Sequence, residues 1–190
     1  PLPEHKEPSC SPVSNPELAE KYPLVLTTGA RSFEFFHSEQ RHAHLTSREL
    51  HPQPKVEMSV KAAADRGIKE GDWVWIENQR GRCRQIATIS LALDDRVVRA
   101  EHGWWFPETE AAEPNLFGVF NSSINNLTPQ CENGDTGFGA PYANQLCEIY
   151  KCTEENSQDL PSTHVTRKDG YSKEMDETNG DVKVGVVYNG

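Results

Sequence analysis

The fold of this chain is decided by one stretch, VEMSVKAAADRGIKEGDWVWIENQRGRCRQIATIS, which runs from Val56 to Ser90. It opens on a short β-prone segment, and the hydroxyl of Ser59 then provides an N-cap for a helix over 60–66. Gly67 stands where a helix C-cap favours glycine. A strand, a capped helix and a return to β-prone sequence therefore follow one another without a long connection.

Further β-prone segments lie on both sides of this stretch. Dense β-branched and aromatic residues favour strands, and polar or glycine-containing groups between them favour turns. A hairpin turn is predicted at 79–82. The predicted strands are 22–28, 56–59, 73–78, 83–91, 96–100 and 146–150. Short strands at close spacing with few short helices predict a mainly β protein built as a compact barrel.

The loop after the first strand carries the most specific functional signal. It reads TTGARS at 27–32 and HSEQR at 37–41. Arginine holds phosphate in a bidentate fork, and glycine lets the backbone approach a bulky ligand. This combination indicates a site for a large, anionic, nucleotide-like cofactor, and the alternative is a polar surface loop.

Composition excludes several classes of function. The net charge is -10 and no basic stripe is visible, so a general nucleic-acid binder is excluded. No run of about 18 apolar residues marks a transmembrane helix. The first residues do not read as a signal peptide, which leaves the cellular compartment unknown.

The five cysteines give no sign of a disulfide framework. They form no Cys-x-x-Cys pair, and we expect reduced thiols, with Cys147 buried in a strand. A zinc site formed by Cys147, Cys152 and His102 is the alternative, although the spacing is not that of paired zinc ligands.

Three regions are predicted along the chain. Residues 1–21 are rich in proline and read as an extended arm with one turn near Pro16. Residues 22–152 form the domain, and within them 29–55 reads as a long functional loop. Residues 153–190 are polar and predict a flexible tail. Because the chain lacks an initiator Met and opens like a linker, we expect it to be cut from something longer.

Taken in order, the motifs of this chain resemble one family. The ordered set is YPLVLTTG at 22–29, HS at 37–38, RGIKEGDWV at 66–74, NQRG at 78–81, GWWFPE at 103–108, NNLTP at 125–129 and LCEIYK at 146–151. It is similar to the C-terminal, molybdopterin dinucleotide-binding domain of the dimethyl sulfoxide reductase superfamily. The GWWFPE motif is most similar to members that resemble thiosulfate or polysulfide reductases and acetylene hydratase.

The resemblance implies a double-psi β-barrel, the type of domain 4 in formate dehydrogenase and dimethyl sulfoxide reductase. Such a barrel would hold one of two molybdopterin guanine dinucleotides on molybdenum or tungsten (bis-MGD). The resemblance implies arginines for pyrophosphate, an aromatic ring for stacking and amides for heterocycle edges. The implied cofactor-binding residues are Thr28, Gly29, Arg31, Ser32, His37, Ser38, Arg41, His102, Trp104, Asn126, Thr128, Asn144 and Gln145. Trp105 is assigned to the core, and Trp73 and Trp75 are assigned structural roles.

The same resemblance limits what this chain does alone. It carries no recognisable metal-ligating or catalytic residue and no iron–sulfur motif, so a 4Fe–4S cluster is expected only in another part of a full-length chain. The implied partners are N-terminal catalytic domains of the same oxidoreductase and an iron–sulfur electron-transfer subunit. Because a fold does not fix a function, a non-catalytic double-psi barrel that serves as a protein-interaction adaptor is the alternative.

Overall fold

A computed structural model describes most of the domain. The described residues are 5, 7–8, 10–30, 45–106, 109–113, 115–129, 143 and 145–157. No helix within these ranges is both long and apolar enough to cross a membrane.

Six strands form a closed barrel in the order β1-β5-β2-β4-β3-β6. Two neighbouring pairs, β1–β5 and β2–β4, are parallel, and the other pairs are antiparallel. The strands are β1 Leu24–Ala30, β2 Lys55–Ser59, β3 Trp73–Asn78, β4 Gly81–Ser90, β5 Val97–Glu101 and β6 Gln145–Lys151. Closure leaves no free sheet edge in the barrel. The prediction of a mainly β, double-psi type barrel is confirmed.

The helices are short and lie between the strands. They are α1 Pro16–Lys21, α2 Leu45–Leu50, α3 Val60–Asp65 and α4 Val119–Ser122, with 3-10 turns at Leu116–Gly118, Ile124–Leu127 and Glu155–Ser157. The predicted capped helix is confirmed as α3, because the Ser59 side chain accepts a hydrogen bond from the amide of Ala62 at 3.0 Å. Gly67 adopts a φ of 64° directly after it.

The structure differs from the sequence prediction in the first third of the chain. The predicted strand 22–28 lies two residues later, because Tyr22 still belongs to the end of α1, where its amide donates to the Leu18 carbonyl. The region predicted as a long loop, 29–55, contains α2. A six-residue helix offers too few turns for a periodic apolar pattern to be visible in the sequence.

The β3–β4 hairpin is tighter than predicted. Its ladder continues to the pair Asn78–Gly81, so the turn holds two residues rather than four. The Asn78 side chain supports this turn by accepting the amide of Arg80 at 2.9 Å. The other edges differ by one or two residues, which is common at strand ends.

The two tryptophans of β3 have the structural role that was predicted for them. Arginine side chains from β4 stack on them: Arg82 lies 4.1 Å from the ring of Trp75, and Arg84 lies 5.2 Å from the ring of Trp73. The Trp75 indole also donates to Asn156 Oδ1 at 3.0 Å. Asn156 therefore contacts the barrel, and the domain boundaries at 22 and 152 stay a prediction.

One barrel end lies beside the candidate site residues that the structure describes. Strands β1, β3 and β5 finish there, and β2, β4 and β6 begin there, as their register requires. We call it the site end, and its strand termini are Ala30, Lys55, Asn78, Gly81, Glu101 and Gln145. The segment 115–127 covers it, because the Asn78 amide donates to the Leu127 carbonyl at 2.8 Å.

Gly118 is required by the conformation and the packing of this covering segment. Its φ is 67°, and a Cβ at this position would lie 2.9 Å from Cδ2 of the Phe106 ring, which is itself buried. Gly67 has a similar φ of 64°, but a Cβ there would meet no atom within 4 Å. Comparing Gly118 with Gly67 therefore distinguishes the cost of the left-handed backbone from the cost of steric overlap.

We predict that Gly118→Ala destabilises the domain more than Gly67→Ala does. The left-handed backbone costs about 1 kcal/mol in both variants. Overlap with Phe106 adds at least about 1 kcal/mol more in Gly118→Ala. Urea unfolding of the two variants and the parent protein measures the difference, and equal free energies of unfolding would contradict this account of the segment.

The structure shows no disulfide among the cysteines that it describes, Cys10, Cys83, Cys147 and Cys152. Cys83 and Cys147 are fully buried in the barrel core. Burial raises the pKa of both thiols far above the usual range, and nearby Cys152 adds to the effect at Cys83. The expectation that Cys147 is a buried, reduced thiol in a strand is confirmed.

We predict that Cys83 and Cys147 resist alkylation while the barrel is folded. Only the thiolate reacts, and burial disfavours it in both residues. Half-buried Cys152 is expected to react before either of them, which iodoacetamide labelling at pH 8 with peptide mass spectrometry measures. Labelling in urea is the control, since all thiols should then react alike. Equal labelling of Cys83 and Cys152 in the native protein would refute the prediction.

Candidate functional site

The end of β1 supplies an open stretch of backbone. The β1–β5 ladder shifts register between Thr27 and Ala30, so Thr28 and Gly29 lie within an irregular part of the strand. Thr28 is buried, whereas Gly29 is exposed. A Cβ at Gly29 would meet nothing within 4 Å, and its φ is not in the left-handed region. Neither conformation nor packing of the described residues requires glycine here.

The end of β5 supplies the second stretch, at 102–106. His102 is half-buried, and the backbone turns at Gly103, which has a φ of 70°. Trp104 is 1% exposed, and its indole nitrogen donates to Glu101 Oε2 at 3.1 Å. Trp104 is therefore a core residue in this chain.

Trp105 has the more accessible ring of the pair. It is half-buried and meets Phe117 edge-on, with ring centroids 5.6 Å apart. Trp105, which was assigned to the core, is thus only half-buried, because the chain leaves the strand at Glu101 and turns at Gly103. Phe117 is 36% exposed and lies beside this turn, because the Phe106 amide donates to the Phe117 carbonyl at 2.7 Å. Phe120, three residues further along the chain, is 57% exposed.

Two other candidates lie on the segment that covers the site end. The Asn126 amide donates to the Val119 carbonyl at 3.0 Å, and the Thr128 hydroxyl donates to the Asn125 carbonyl at 2.9 Å. Each side chain therefore shapes its own segment with one hydrogen bond. The carbonyl oxygen of Asn126 and the acceptor positions of Thr128 could still meet a ligand.

The last described candidate is Gln145, at the start of β6. It pairs with Leu26 of β1 and is 1% exposed. The candidates that the structure describes thus all lie at or beside the site end: Thr28, Gly29, His102, Trp104, Asn126, Thr128 and Gln145. Six candidates, Arg31, Ser32, His37, Ser38, Arg41 and Asn144, lie outside the described residues.

Sequence reasoning missed the polar residues that hold this end together. Gln85 and Glu101 are 0% and 8% exposed, and hydrogen bonds join them. A signal for Gln85 was present in the sequence, because Cys83, Gln85 and Ala87 alternate on one inward face of β4. A polar residue between two small apolar residues on a core-facing register is a candidate for a buried polar contact.

A metal centre finds no support among the described residues. Within those ranges no group of three or more His, Cys, Asp or Glu side chains is arranged to hold a metal ion.

Comparison with known proteins identifies the domain. Residues 24–146 match the family model described as the "Molydopterin dinucleotide binding domain". The chain is 38% identical to dopamine dehydroxylase of Eggerthella lenta over 157 residues, which are 82% of this chain and 15% of that protein. It is 31% identical to acetylene hydratase of Syntrophotalea acetylenica over 156 residues, which are 80% of this chain and 21% of that protein.

A solved structure gives the same result. The structure of acetylene hydratase from Pelobacter acetylenicus superposes with a TM-score of 0.71 at 30% identity, and the match covers 80% of this chain and 21% of that chain. This chain therefore spans only about a fifth or less of these relatives. The family match, the sequence identities and the barrel agree, and the chain belongs to the molybdopterin dinucleotide-binding domains of the dimethyl sulfoxide reductase superfamily.

Proposed function

We propose that this chain holds one molybdopterin guanine dinucleotide at its site end, as part of a molybdenum or tungsten oxidoreductase that carries two such cofactors. The observation that carries the proposal is that several distant segments of the chain meet at one end of the barrel. Four parts of the chain are far apart in sequence and lie at this end: the Thr28–Gly29 backbone, the 102–106 turn, the 115–127 segment and Gln145. An adaptor surface does not require several polar loops on one face, whereas a dinucleotide site does.

Two features of the site end fit such a ligand. Gly29 leaves a backbone without a side chain facing open space, which permits close approach of a phosphate or a pterin. The Ser122 hydroxyl is fully buried beneath this end and has no hydrogen-bond partner among the described residues. Buried polar atoms are seldom left unsatisfied in a complete assembly.

The residues have distinct proposed roles. The Thr28–Gly29 backbone approaches the pyrophosphate, and the amides of Asn126 and Gln145 bind heterocycle edges. Trp105, rather than buried Trp104, offers an aromatic face to the ligand. The cofactor contacts that the family resemblance implies are proposed for six further residues, Arg31, Ser32, His37, Ser38, Arg41 and Asn144. The bound cofactor would supply the metal and its dithiolene ligands for redox chemistry, and the chain would supply position and electrostatics.

The remaining parts of the enzyme are proposed to come from outside this chain. Since the chain covers 15% to 21% of the relatives named above, the domains that choose the substrate would be contributed by the rest of a longer protein. A 4Fe–4S cluster belongs in that part, and an iron–sulfur electron-transfer subunit is a further proposed partner. On this proposal the chain alone is not catalytic.

We predict that Gly29→Leu lowers cofactor content without lowering stability. A Cβ at this position meets no atom within 4 Å, and the new side chain would enter space that the proposal assigns to the dinucleotide. A loss of about tenfold in affinity corresponds to about 1.4 kcal/mol of lost contact. The measurement is the guanine nucleotide released by acid hydrolysis per mole of purified protein, with the thermal midpoint measured in parallel.

Ala64→Leu is the matched control. Ala64 is exposed on α3, which follows the end of β2 and so lies at the opposite end of the barrel. The Ala64→Leu variant should change neither the cofactor content nor the thermal midpoint. Full cofactor content in Gly29→Leu would place the dinucleotide elsewhere.

A further inference from the structure

One carboxylate oxygen connects three parts of the site end. Glu101 Oε2 accepts the backbone amide of Lys55 at 2.9 Å and the indole N–H of Trp104 at 3.1 Å. His51 Nε2 lies 2.9 Å from the same oxygen. Glu101, His51 and Trp104 are 8%, 4% and 1% exposed, so the cluster is almost completely shielded from water. It ties the segment between α2 and β2 to the turn that follows β5.

The backbone of the same residue is held from the opposite side. Gln85 Oε1 accepts the Glu101 amide at 3.2 Å, and Gln85 Nε2 donates to the Glu101 carbonyl at 2.8 Å. The same Nε2 donates to the Ser122 carbonyl at 3.3 Å. The side chain of Gln85 therefore joins β4, β5 and the segment that covers the site end.

Stability alone does not account for this arrangement. Burial of a carboxylate costs free energy that its hydrogen bonds must offset, and an apolar side chain would fill such a position at lower cost. A buried polar network fixes geometry, because its donors and acceptors are satisfied in one arrangement. Glu101 directly precedes His102, so any shift of this residue moves the 102–106 turn.

We infer that Glu101, held by Gln85, is the positioning residue of the dinucleotide site. It does not itself contact the ligand. It fixes the 102–106 turn and the 51–55 segment relative to the barrel, so that the loops at the site end are already in place before the dinucleotide binds. This inference rests on the proposed function.

The test compares Glu101→Leu with Glu101→Gln. Leucine removes the acceptor, whereas glutamine keeps a carbonyl oxygen that can accept the same contacts. In Glu101→Leu we expect amide hydrogen exchange at Lys55 and at 102–106 to rise about tenfold, as for loss of a buried hydrogen bond, with β3 and β6 unchanged. Nucleotide content should fall, as expected for a loss of about tenfold in affinity at this one dinucleotide site, and Glu101→Gln should restore most of both.

Glu57→Leu is the matched control. Glu57 lies on neighbouring β2 and pairs with Arg99 at 2.5 Å, with more exposed side chains. The Glu57→Leu variant should leave both amide hydrogen exchange and nucleotide content at the values of the parent protein. Parent-like exchange at Lys55 and 102–106 in Glu101→Leu, or parent-like nucleotide content despite raised exchange, would overturn the inference.

Trp104→Phe tests the inference if Glu101→Leu does not fold. It removes one donor to Glu101 and keeps an aromatic ring in the core. Exchange should then rise at 102–106 and stay unchanged at Lys55, and nucleotide content should fall. An equal change in exchange at Lys55 and at 102–106, including no change at either, would refute the positioning role. If the parent protein holds no guanine nucleotide, the proposed function fails, and the exchange data still report whether Glu101 positions these segments.

Discussion

Everything at the site end depends on how β1 pairs. This strand is parallel to β5 on one side and antiparallel to β6 on the other, so it closes the barrel. The same pairing brings Gly29 beside the end of β5 and the start of β6, although these segments are far apart in the chain. Barrel closure is thus the constraint that assembles the proposed ligand site, and the loops add polar groups at a place that the strands have defined.

Buried polar contacts then convert this framework into a fixed geometry. Strand pairing fixes where Glu101 lies, but it does not fix the turn after it. The contacts of Glu101 with Trp104 and Lys55, and of Gln85 with Glu101 and Ser122, attach the loops to the barrel wall. An acidic chain that is proposed to bind an anionic ligand gains from such order, because loops already in place reduce the entropy cost of binding.

The sequence predicted the strands of the barrel well because β-propensity and helix capping are local properties. Strand β3 and the Ser59 cap of α3 were predicted from neighbours alone. Irregular segments were predicted less well. Trp105 was assigned to the core, but Trp104 is the more deeply buried of the two, and neither strand nor helix periodicity applies after Glu101. The role of Glu101 depends on partners from distant segments, so no local pattern reveals it.

The most direct test of the account is to locate the dinucleotide on the barrel. Amide hydrogen exchange would be compared in the cofactor-loaded protein and in the same protein after cofactor release. The account predicts that release raises exchange at 28–29, 102–105 and 124–128, with no change at 59–67 on the opposite end. Protection at 59–67, or no difference at the site end, would contradict the central claim that the dinucleotide binds where β1, β3 and β5 finish.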